Sequence, residues 1–363
     1  MSIERFIKQG VTGWMTSEGE HADIVMSTRI RLARNLVGYR MPLSFSEDEA
    51  HQVDQQVTAV LLEAGPELNT NFTSLQMGDV QPLQRQVLVE KHLISPQLAN
   101  PDRPGSVILS DDETISVMVN EEDHIRIQVL SPGLQLMEAY QKANQVDNIL
   151  EKDLPYAFDE RFGYATTCPT NTGTGLRASV MMHLPALTIT NRMNRIIPQI
   201  ARLGMVVRGI YGEGTEALGN IYQVSNQITL GKSEEDILTD LLSIAEQIIQ
   251  EERTARHTLM TNSPTALEDR LYRSLGVLSY ARLLSTDEAA KCLSDVRLGI
   301  DLKMIQDIDM SILNELMIFM QPAFLQEYAS TELKPRERDV FRAKLFRERL
   351  QMDHRKKGEP GGE

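Results

Sequence analysis

The sequence predicts an α+β fold, in which an antiparallel sheet flanked by helices is followed by an all-α C-terminal region. Two patterns predict it. Segments before about Gly231 alternate apolar and polar residues with the two-residue period of strands, whereas the later sequence has the longer period of amphipathic helices. The length of 363 residues adds a third observation, because it is enough for two domains.

The clearest strands form a hairpin with an acidic tip. Residues 114–120 and 124–130 each alternate between apolar and polar side chains, and Asn120-Glu121-Glu122-Asp123 separates them. Because side chains alternate between the two faces of a strand, we expect Arg126 on the face opposite the apolar residues.

Further strands are predicted at residues 179–184, 205–209 and 220–229. A helix is predicted at residues 190–203, and Gly204 ends it. The glycine-rich segment before the last strand is expected to be a flexible loop. Neighbouring strands with helices alongside are typical of an α+β domain.

From Ser233 onwards the helical period dominates. Ser233 and Asp236 have the spacing of a capping box, and apolar residues follow at helical intervals. Further helices are predicted at residues 265–284, 287–298, 309–328 and 335–350. We therefore predict a first domain over residues 1–255, a helical domain over residues 256–352 and a disordered tail over residues 353–363.

Composition excludes several classes of protein. The net charge of −14 argues against a general nucleic-acid binder, which needs a basic face, and favours a cationic partner. Two cysteines exclude a disulfide framework and suit a reducing compartment. The start of the chain has no signal-peptide pattern, and no run reaches the roughly 18 apolar residues of a membrane span. We expect a cytoplasmic protein that binds neither nucleic acid nor membrane directly.

The densest group of reactive side chains lies at residues 168–179, which read CPTNTGTGLRAS. Glycines allow close backbone approach, and thiol, hydroxyl, amide and guanidinium groups together suit a site that holds an anion against a reactive group. Guanidinium groups bind phosphate oxygens in bidentate fashion and stay charged. Each arginine alone is typical of a surface charge, and the sequence does not show that they converge. The arginines in this pattern are Arg29, Arg31, Arg126, Arg177 and Arg208.

Four motifs, in order, resemble those of the guanidino (phosphagen) kinases, such as the creatine and arginine kinases. The motifs are S-x-R-x-R at residues 27–31, N-E-E-D-H-x-R at 120–126, C-P-T-N-x-G-T-x-x-R-x-S-V at 168–180 and R-G-x-x-G-E at 208–213. The resemblance implies ATP and Mg²⁺ as cofactors, with the arginines on the phosphates and the metal held by nucleotide and water rather than by a protein site. The implied nucleotide site comprises Ser27, Thr28, Arg29, Ile30, Arg31, His92, Arg126, Arg177, Ala178, Ser179, Val180, Met181, Arg208, Gly209, Ile210, Tyr211 and Gly212.

A guanidinium acceptor must be deprotonated and oriented before it can attack phosphorus. Its pKa lies above about 12 and it has no free lone pair, so a base must take a proton while a second carboxylate fixes its plane. The resemblance implies that Glu122 is the base or principal clamp, that Glu213 is the second carboxylate and that Cys168 orients the acceptor. The residues alone favour a solvated hairpin tip and an inert buried thiol.

Departures from the metabolite kinases narrow the resemblance to the bacterial protein-arginine kinases. The first motif begins at Ser27, so the helical domain that precedes it in metabolite kinases is expected to be absent. Met181 replaces the usual histidine, so the adenine contact is expected to differ. A long helical region follows, with an R-D-x-x-R-A motif that implies phosphoarginine binding, although its spacing alone favours a basic solvated helix face. The matching residues are Arg338, Asp339, Arg342 and Ala343.

The expected activity is transfer of the ATP γ-phosphoryl group to exposed arginines of proteins. The resemblance further implies marking of proteins for an ATP-dependent protease, regulation of a heat-shock repressor in the stress response, a small zinc-binding activator and a homodimer. Two alternatives stay open at this point: a kinase for a small guanidino metabolite, and a phosphoarginine-binding adaptor whose kinase site is inactive.

Overall fold

The computed structural model describes residues 3–8, 10, 12–16, 18–99, 104–209, 217–306 and 308–358. The strands are β1 (Val25–Arg34), β2 (Phe72–Gln76), β3 (Ser106–Ser110), β4 (Ile115–Val119), β5 (Ile125–Pro132), β6 (Phe158–Asp159), β7 (Gly163–Tyr164), β8 (Leu176–His183), β9 (Met205–Gly209) and β10 (Ile221–Asn226). Eight of them form one sheet in the order β2-β3-β4-β5-β1-β8-β10-β9, and β6 and β7 form a separate hairpin. All neighbouring strands are antiparallel.

The helices are α1 (Glu4–Lys8), α2 (Glu47–Glu63), α3 (Pro82–Glu90), α4 (Pro96–Ala99), α5 (Leu136–Asp153), α6 (Pro185–Ile189), α7 (Met193–Arg202), α8 (Glu234–Asn262), α9 (Pro264–Tyr280), α10 (Thr286–Asp301), α11 (Met310–Phe319), α12 (Pro322–Ala329) and α13 (Pro335–Gly358). In the described part of the chain, none of these helices combines the length and the apolar character that a membrane crossing requires.

The predicted α+β class is confirmed, and so is the acidic hairpin, which β4 and β5 form. The strand predicted at residues 179–184 is the second half of β8, and the strand predicted at 205–209 is β9. The last predicted strand is shorter, because β10 ends at Asn226. Three strands of the sheet, β1, β2 and β3, were not predicted.

Some predicted helices differ from the observed ones. The helix expected at residues 190–203 is α7, which begins only at Met193, because Asn191 just before it takes a left-handed φ of 56°. The short helix α6, which ends at Ile189, was not predicted. The helix expected at 309–328 is divided into α11 and α12, and Pro322, which cannot donate a backbone hydrogen bond, begins α12. The capping box at Ser233 is confirmed. The predicted boundary at residue 256 lies inside α8, and α13 continues beyond Asp353, where the disordered tail was predicted to begin.

The two faces of the sheet are covered differently. One face packs against α2, α5, α6, α7 and α8 in a large apolar core that includes Ile30, Ile127 and Val180. On the other face, α3 and α4 cover the end formed by β2, β3 and β4. The C-terminal helices pack on that face against a second apolar group, which includes Met26 and Leu130. The polar side chains of the site lie between these two covered regions.

Candidate active site

Four of the five predicted phosphate-binding arginines share one face at the centre of the sheet. Arg29 and Arg31 alternate with core residues along β1, and Arg31 is the direct cross-strand partner of Arg177 on β8. Arg126 lies on β5, the other neighbour of β1, opposite Ala33. Because alternate residues of a strand face the same side, register alone directs these side chains to the face opposite the main core.

Arg208 joins the same group from β9. Its cross-strand partner on β10 is Gln223, whose Oε1 accepts a hydrogen bond from Arg29 Nη2 at 2.7 Å. A cavity of about 110 Å³ is lined by both Arg177 and Arg208, and by Thr170 from the turn after Cys168. The structure therefore brings all five arginines to one region.

The electrostatics of this group favour a polyanion. Burial, followed by the charges of Arg29, Arg126 and Arg177, lowers the pKa of Arg31 well below its ordinary value. Burial and the charges of Arg208 and Arg126 likewise lower the pKa of Arg177. Among the described residues, the buried Nε atoms of Arg31 and Arg177 have no hydrogen-bond partner. Such orphaned donors fit phosphate oxygens, which accept charge-assisted hydrogen bonds.

Four residues of the predicted nucleotide site turn their side chains away from the arginines. Ile30, Ala178 and Val180 lie in the main core on the opposite face, and Thr28 Oγ1 donates to Gly133 O at 2.7 Å. The predicted nucleotide site includes the continuous segments 27–31 and 177–181, but successive residues of a strand point to opposite faces of the sheet. These residues can contribute only backbone atoms or support.

The remaining predicted nucleotide residues are divided in position. Ser27 and Ser179 lie buried on the arginine face, and Met181 is buried among the apolar residues that contact the C-terminal helices. Gly209 is the last residue of β9. The predicted residues Ile210, Tyr211, Gly212 and Glu213 lie outside the residues that the structure describes.

His92 lies beside the arginines, two residues after the end of α3. It adopts a φ of 60°, and its carbonyl oxygen accepts from Gln128 Nε2 at 2.8 Å. Burial, and then the charge of Arg29, lowers the pKa of His92 to about 3. The imidazole is therefore neutral near pH 7, and its ring lies 5.5 Å from the Trp14 ring between centroids.

The acidic hairpin tip is not a solvated loop. Glu121 and Asp123 are buried, and only the Glu122 side chain retains an exposed fraction of 32%. Arg126 joins both glutamates, with 2.7 Å from Nη1 to Glu121 Oε2 and 2.6 Å from Nη2 to Glu122 Oε2. Ser95 Oγ also donates to Glu121, at 2.6 Å. The alternative interpretation of this acidic run, as a solvated hairpin tip, is therefore wrong.

Cys168 lies close to the tip because a buried carboxylate holds the two segments together. Asp123 Oδ1 accepts from Thr167 N and from Asn35 Nδ2, each at 2.7 Å. The thiol is half-buried rather than buried, and its Sγ lies 3.0 Å from Thr170 Oγ1. Neither Asp123 nor Asn35 was predicted as a site residue, although Asp123 belongs to the N-E-E-D segment.

The C-terminal motif has a different environment from the one its spacing suggested. Arg342 is buried, and it donates from Nε to Met320 O at 2.9 Å and from Nη1 to Leu284 O at 2.7 Å. Nη1 also contacts Asp339 Oδ1 at 2.8 Å. Ala343 is buried in the helical core, and Arg338 is half-buried. A solvated basic face is therefore wrong for Arg342, whose guanidinium is engaged in holding helices together.

Family models match both parts of the chain. Residues 52–255 match the model described as ATP:guanido phosphotransferase, C-terminal catalytic domain. Residues 264–360 match the model described as Protein-arginine kinase McsB C-terminal domain.

Whole proteins and a solved structure agree with these matches. The chain is 56% identical over 356 residues to a protein-arginine kinase of Geobacillus sp. (strain WCH70), covering 98% of each chain. It is 56% identical over 354 residues to that of Bacillus subtilis (strain 168), covering 97% of each. A crystal structure of lombricine kinase superimposes with a TM-score of 0.56 at 25% identity, over 71% of this chain and 72% of that one. The chain therefore belongs to the ATP:guanido phosphotransferase family, among the protein-arginine kinases.

Proposed function

We propose that this protein transfers the γ-phosphoryl group of ATP to arginine side chains of other proteins. The observation that carries the proposal is the convergence of five arginines on one face of the sheet, beside Glu122 and Cys168. The names of the 56% identical relatives support a protein rather than a metabolite as acceptor.

In this proposal the arginines hold the triphosphate. Phosphoryl transfer passes through a loose, highly charged transition state, so alignment and charge stabilisation supply most of the catalysis. Arg31 and Arg177, whose buried Nε atoms lack partners among the described residues, would bind phosphate oxygens. Mg²⁺, when bound to the nucleotide, would neutralise phosphate charge. Within the described chain, no group of three or more His, Cys, Asp or Glu side chains is arranged to hold a metal.

The acceptor guanidinium would lie between Glu122 and Cys168. The reaction forms a bond from an arginine nitrogen to the γ-phosphorus and breaks the bond from that phosphorus to the ADP oxygen. The proton leaves the arginine nitrogen for Glu122, which would exchange its present ion pair with Arg126 for the acceptor. We assign Cys168 to orientation of the guanidinium and Glu213 to the second carboxylate.

The biological setting belongs to the same proposal. We infer a cytoplasmic enzyme, active as a homodimer with a zinc-binding activator, whose product marks proteins for an ATP-dependent protease. A heat-shock repressor would be one of its substrates. We also infer that Arg338, with Asp339, Arg342 and Ala343, recognises phosphoarginine, so that product binding is linked to regulation.

The test is incubation of the protein with ATP and an arginine-rich protein, followed by mass spectrometry under conditions that preserve acid-labile phosphoarginine. We expect phosphoarginine on the substrate, and a large loss of it with Glu122→Gln and with Cys168→Ser. Full activity in both variants would contradict the assigned site. Labelling of free arginine alone would favour a metabolite kinase. Phosphoarginine-peptide binding that Arg338→Ala abolishes, without any transfer, would favour the adaptor.

A further inference from the structure

An open apolar groove lies beside the turn that carries Cys168. Its lining includes Pro169 and Thr170, together with three large apolar residues, Leu203, Ile228 and Leu230. These last three side chains are 57%, 48% and 52% exposed. Large apolar side chains gathered in one concave surface are typical of a binding site rather than of ordinary protein surface.

Hydrogen bonds around Thr229 keep the neighbouring apolar side chains exposed. Thr229 is buried, and its Oγ1 donates to Thr170 O at 2.9 Å and to Thr172 O at 2.7 Å. Because side chains alternate along an extended segment, anchoring Thr229 inward turns Ile228 and Leu230 outward. A backbone hydrogen bond of 3.1 Å from Gln227 N to Gly204 O holds this segment against the end of α7. The apolar residues are therefore held in place and cannot turn inward without breaking these bonds.

The groove adjoins the cavity of Arg177 and Arg208 and the turn that carries Cys168. Thr170 lines both the groove and the cavity that contains Arg177 and Arg208. Pro169 lines the groove and directly follows Cys168. An extended chain advances about 3.3 Å per residue, so residues a few positions from an arginine held at Cys168 would reach the groove.

We propose that this groove binds an extended, apolar segment of the protein substrate next to the target arginine. The inference rests on the proposed function and adds a preference to it: arginines flanked within a few residues by large apolar side chains are phosphorylated more efficiently. A small guanidino metabolite has no flanking chain and would gain nothing from this surface.

The experiment compares two peptides that differ only at the flanking positions. One carries leucines two to four residues from a single arginine, and the other carries serines there. Full-length wild-type protein is compared with Ile228→Ser/Leu230→Ser, and Leu203→Ser tests the groove from a separate segment. Leu62→Ser is the matched control, because Leu62 is also 48% exposed but lies on α2, which contributes no residue to the groove.

We expect wild-type protein to use the leucine peptide with a kcat/KM about tenfold higher than that of the serine peptide. The difference should lie in KM, because burial of an apolar side chain strengthens substrate binding by about this factor. The groove variants should lose this preference and treat the serine peptide as wild type does, and Leu62→Ser should keep the preference. Equal use of both peptides by wild-type protein would overturn the groove while leaving the proposed function intact. If the groove variants differ from wild-type protein in particle mass by light scattering but keep the preference for the leucine peptide, the proposed substrate groove would be overturned. The surface would then be a contact between copies of this chain. Absence of phosphoarginine on both peptides would defeat the proposed function, and the inference with it.

Discussion

Arg31 and Arg177 lie directly opposite each other on neighbouring strands. Like charges in this position destabilise a sheet. Burial, and then the charges of neighbouring arginines, lower the pKa of both guanidinium groups. The core on the other face of the same strands compensates for this cost, because the alternating residues of β1 and β8 are buried there. A bound triphosphate would offset the repulsion between the two guanidinium groups, because each of them would then attract the anion. The arrangement therefore favours nucleotide binding at a cost in stability.

The first prediction concerns the geometry of the Arg177 guanidinium. Arg177→Lys keeps the charge but removes the planar donor group, and its ammonium cannot make bidentate bonds. We expect the Kd for ATP to rise by roughly 10- to 100-fold, corresponding to about 1.5–3 kcal/mol for a hydrogen bond with a charged group. The melting temperature should not fall, since like-charge repulsion with Arg31 is not increased. Nucleotide titration by calorimetry and thermal unfolding measure the two quantities, and unchanged ATP affinity would remove Arg177 from the phosphate site.

Among the structural elements, the contact between α3 and α12 joins the nucleotide side of the sheet to the C-terminal helices. The Glu90 carboxylate at the end of α3 accepts from Ala323 N at 2.8 Å and from Phe324 N at 2.7 Å, which are orphan donors of the first turn of α12. Glu90 is followed after one residue by His92, which lies against the arginines. Burial raises the pKa of Glu90 to about 7, although these two backbone donors and the charges of Arg338 and Arg342 oppose the rise.

The second prediction is a pH dependence that originates in Glu90. Its pKa is raised in the folded state from an ordinary value of 4.5, so the folded state binds a proton more tightly than the unfolded state. The resulting stabilisation is present below pH 4.5 and is lost as pH rises to about 7. We expect the free energy of unfolding of wild type, relative to Glu90→Gln, to fall between pH 5 and 8 by at most about 3 kcal/mol. Urea unfolding at several pH values measures this difference; Glu63→Gln, at an exposed site on α2, is the control and should show no such trend.

The sequence was informative about elements where local pattern decides structure. The alternation of β4 and β5 and the cap at Ser233 were predicted, because each depends on neighbouring residues. It was not informative about β2 and β3, whose burial depends on α3 and α4 covering them. The pattern also did not show that α7 begins only at Met193, since that depends on the left-handed Asn191.

The candidate site could likewise be predicted only in those features that depend on local sequence. The identities of the arginines, of Glu122 and of Cys168 were available from the motifs. Their convergence was not, because it depends on the register that sets Arg31 opposite Arg177 and on the strand order that sets β1 between β5 and β8. Asp123 shows the limit of composition, since it looks like one member of a solvated acidic run and is a buried link between Asn35 and Thr167. Long-range pairing of this kind leaves no local pattern.

At the scale of the whole molecule, buried polar contacts as well as apolar packing join the sheet to the C-terminal helices. Arg256 on α8 is at the centre of one such group, with Nε at 2.9 Å from Glu252 Oε1 and Nη1 at 3.5 Å from Asp301 Oδ2 on α10. Its Nη2 donates to Asp23 O, just before β1, at 3.1 Å. Nearby, Arg297 of α10 donates to Ala22 O at 3.1 Å. One guanidinium thus connects three segments that are distant in sequence.

The third prediction follows from what removal of that guanidinium leaves behind. Burial already raises the pKa of Asp301 to about 6, and the charge of Arg256 is among those that oppose the rise. Arg256→Ala would leave Glu252 and Asp301 buried with less compensation, so we expect a loss of about 3–5 kcal/mol in the free energy of unfolding. Arg253→Ala is the matched control: it lies on the same helix and contacts the same Asp23, but its side chain is 40% exposed, so its loss should stay below about 1 kcal/mol. Urea unfolding near pH 7.5 compares the two variants. Equal losses would mean that apolar packing alone holds the helical region to the sheet. The expected difference would identify Arg256 as the polar contact that fixes the position of the C-terminal helices, which pack on the same face of the sheet as the arginines.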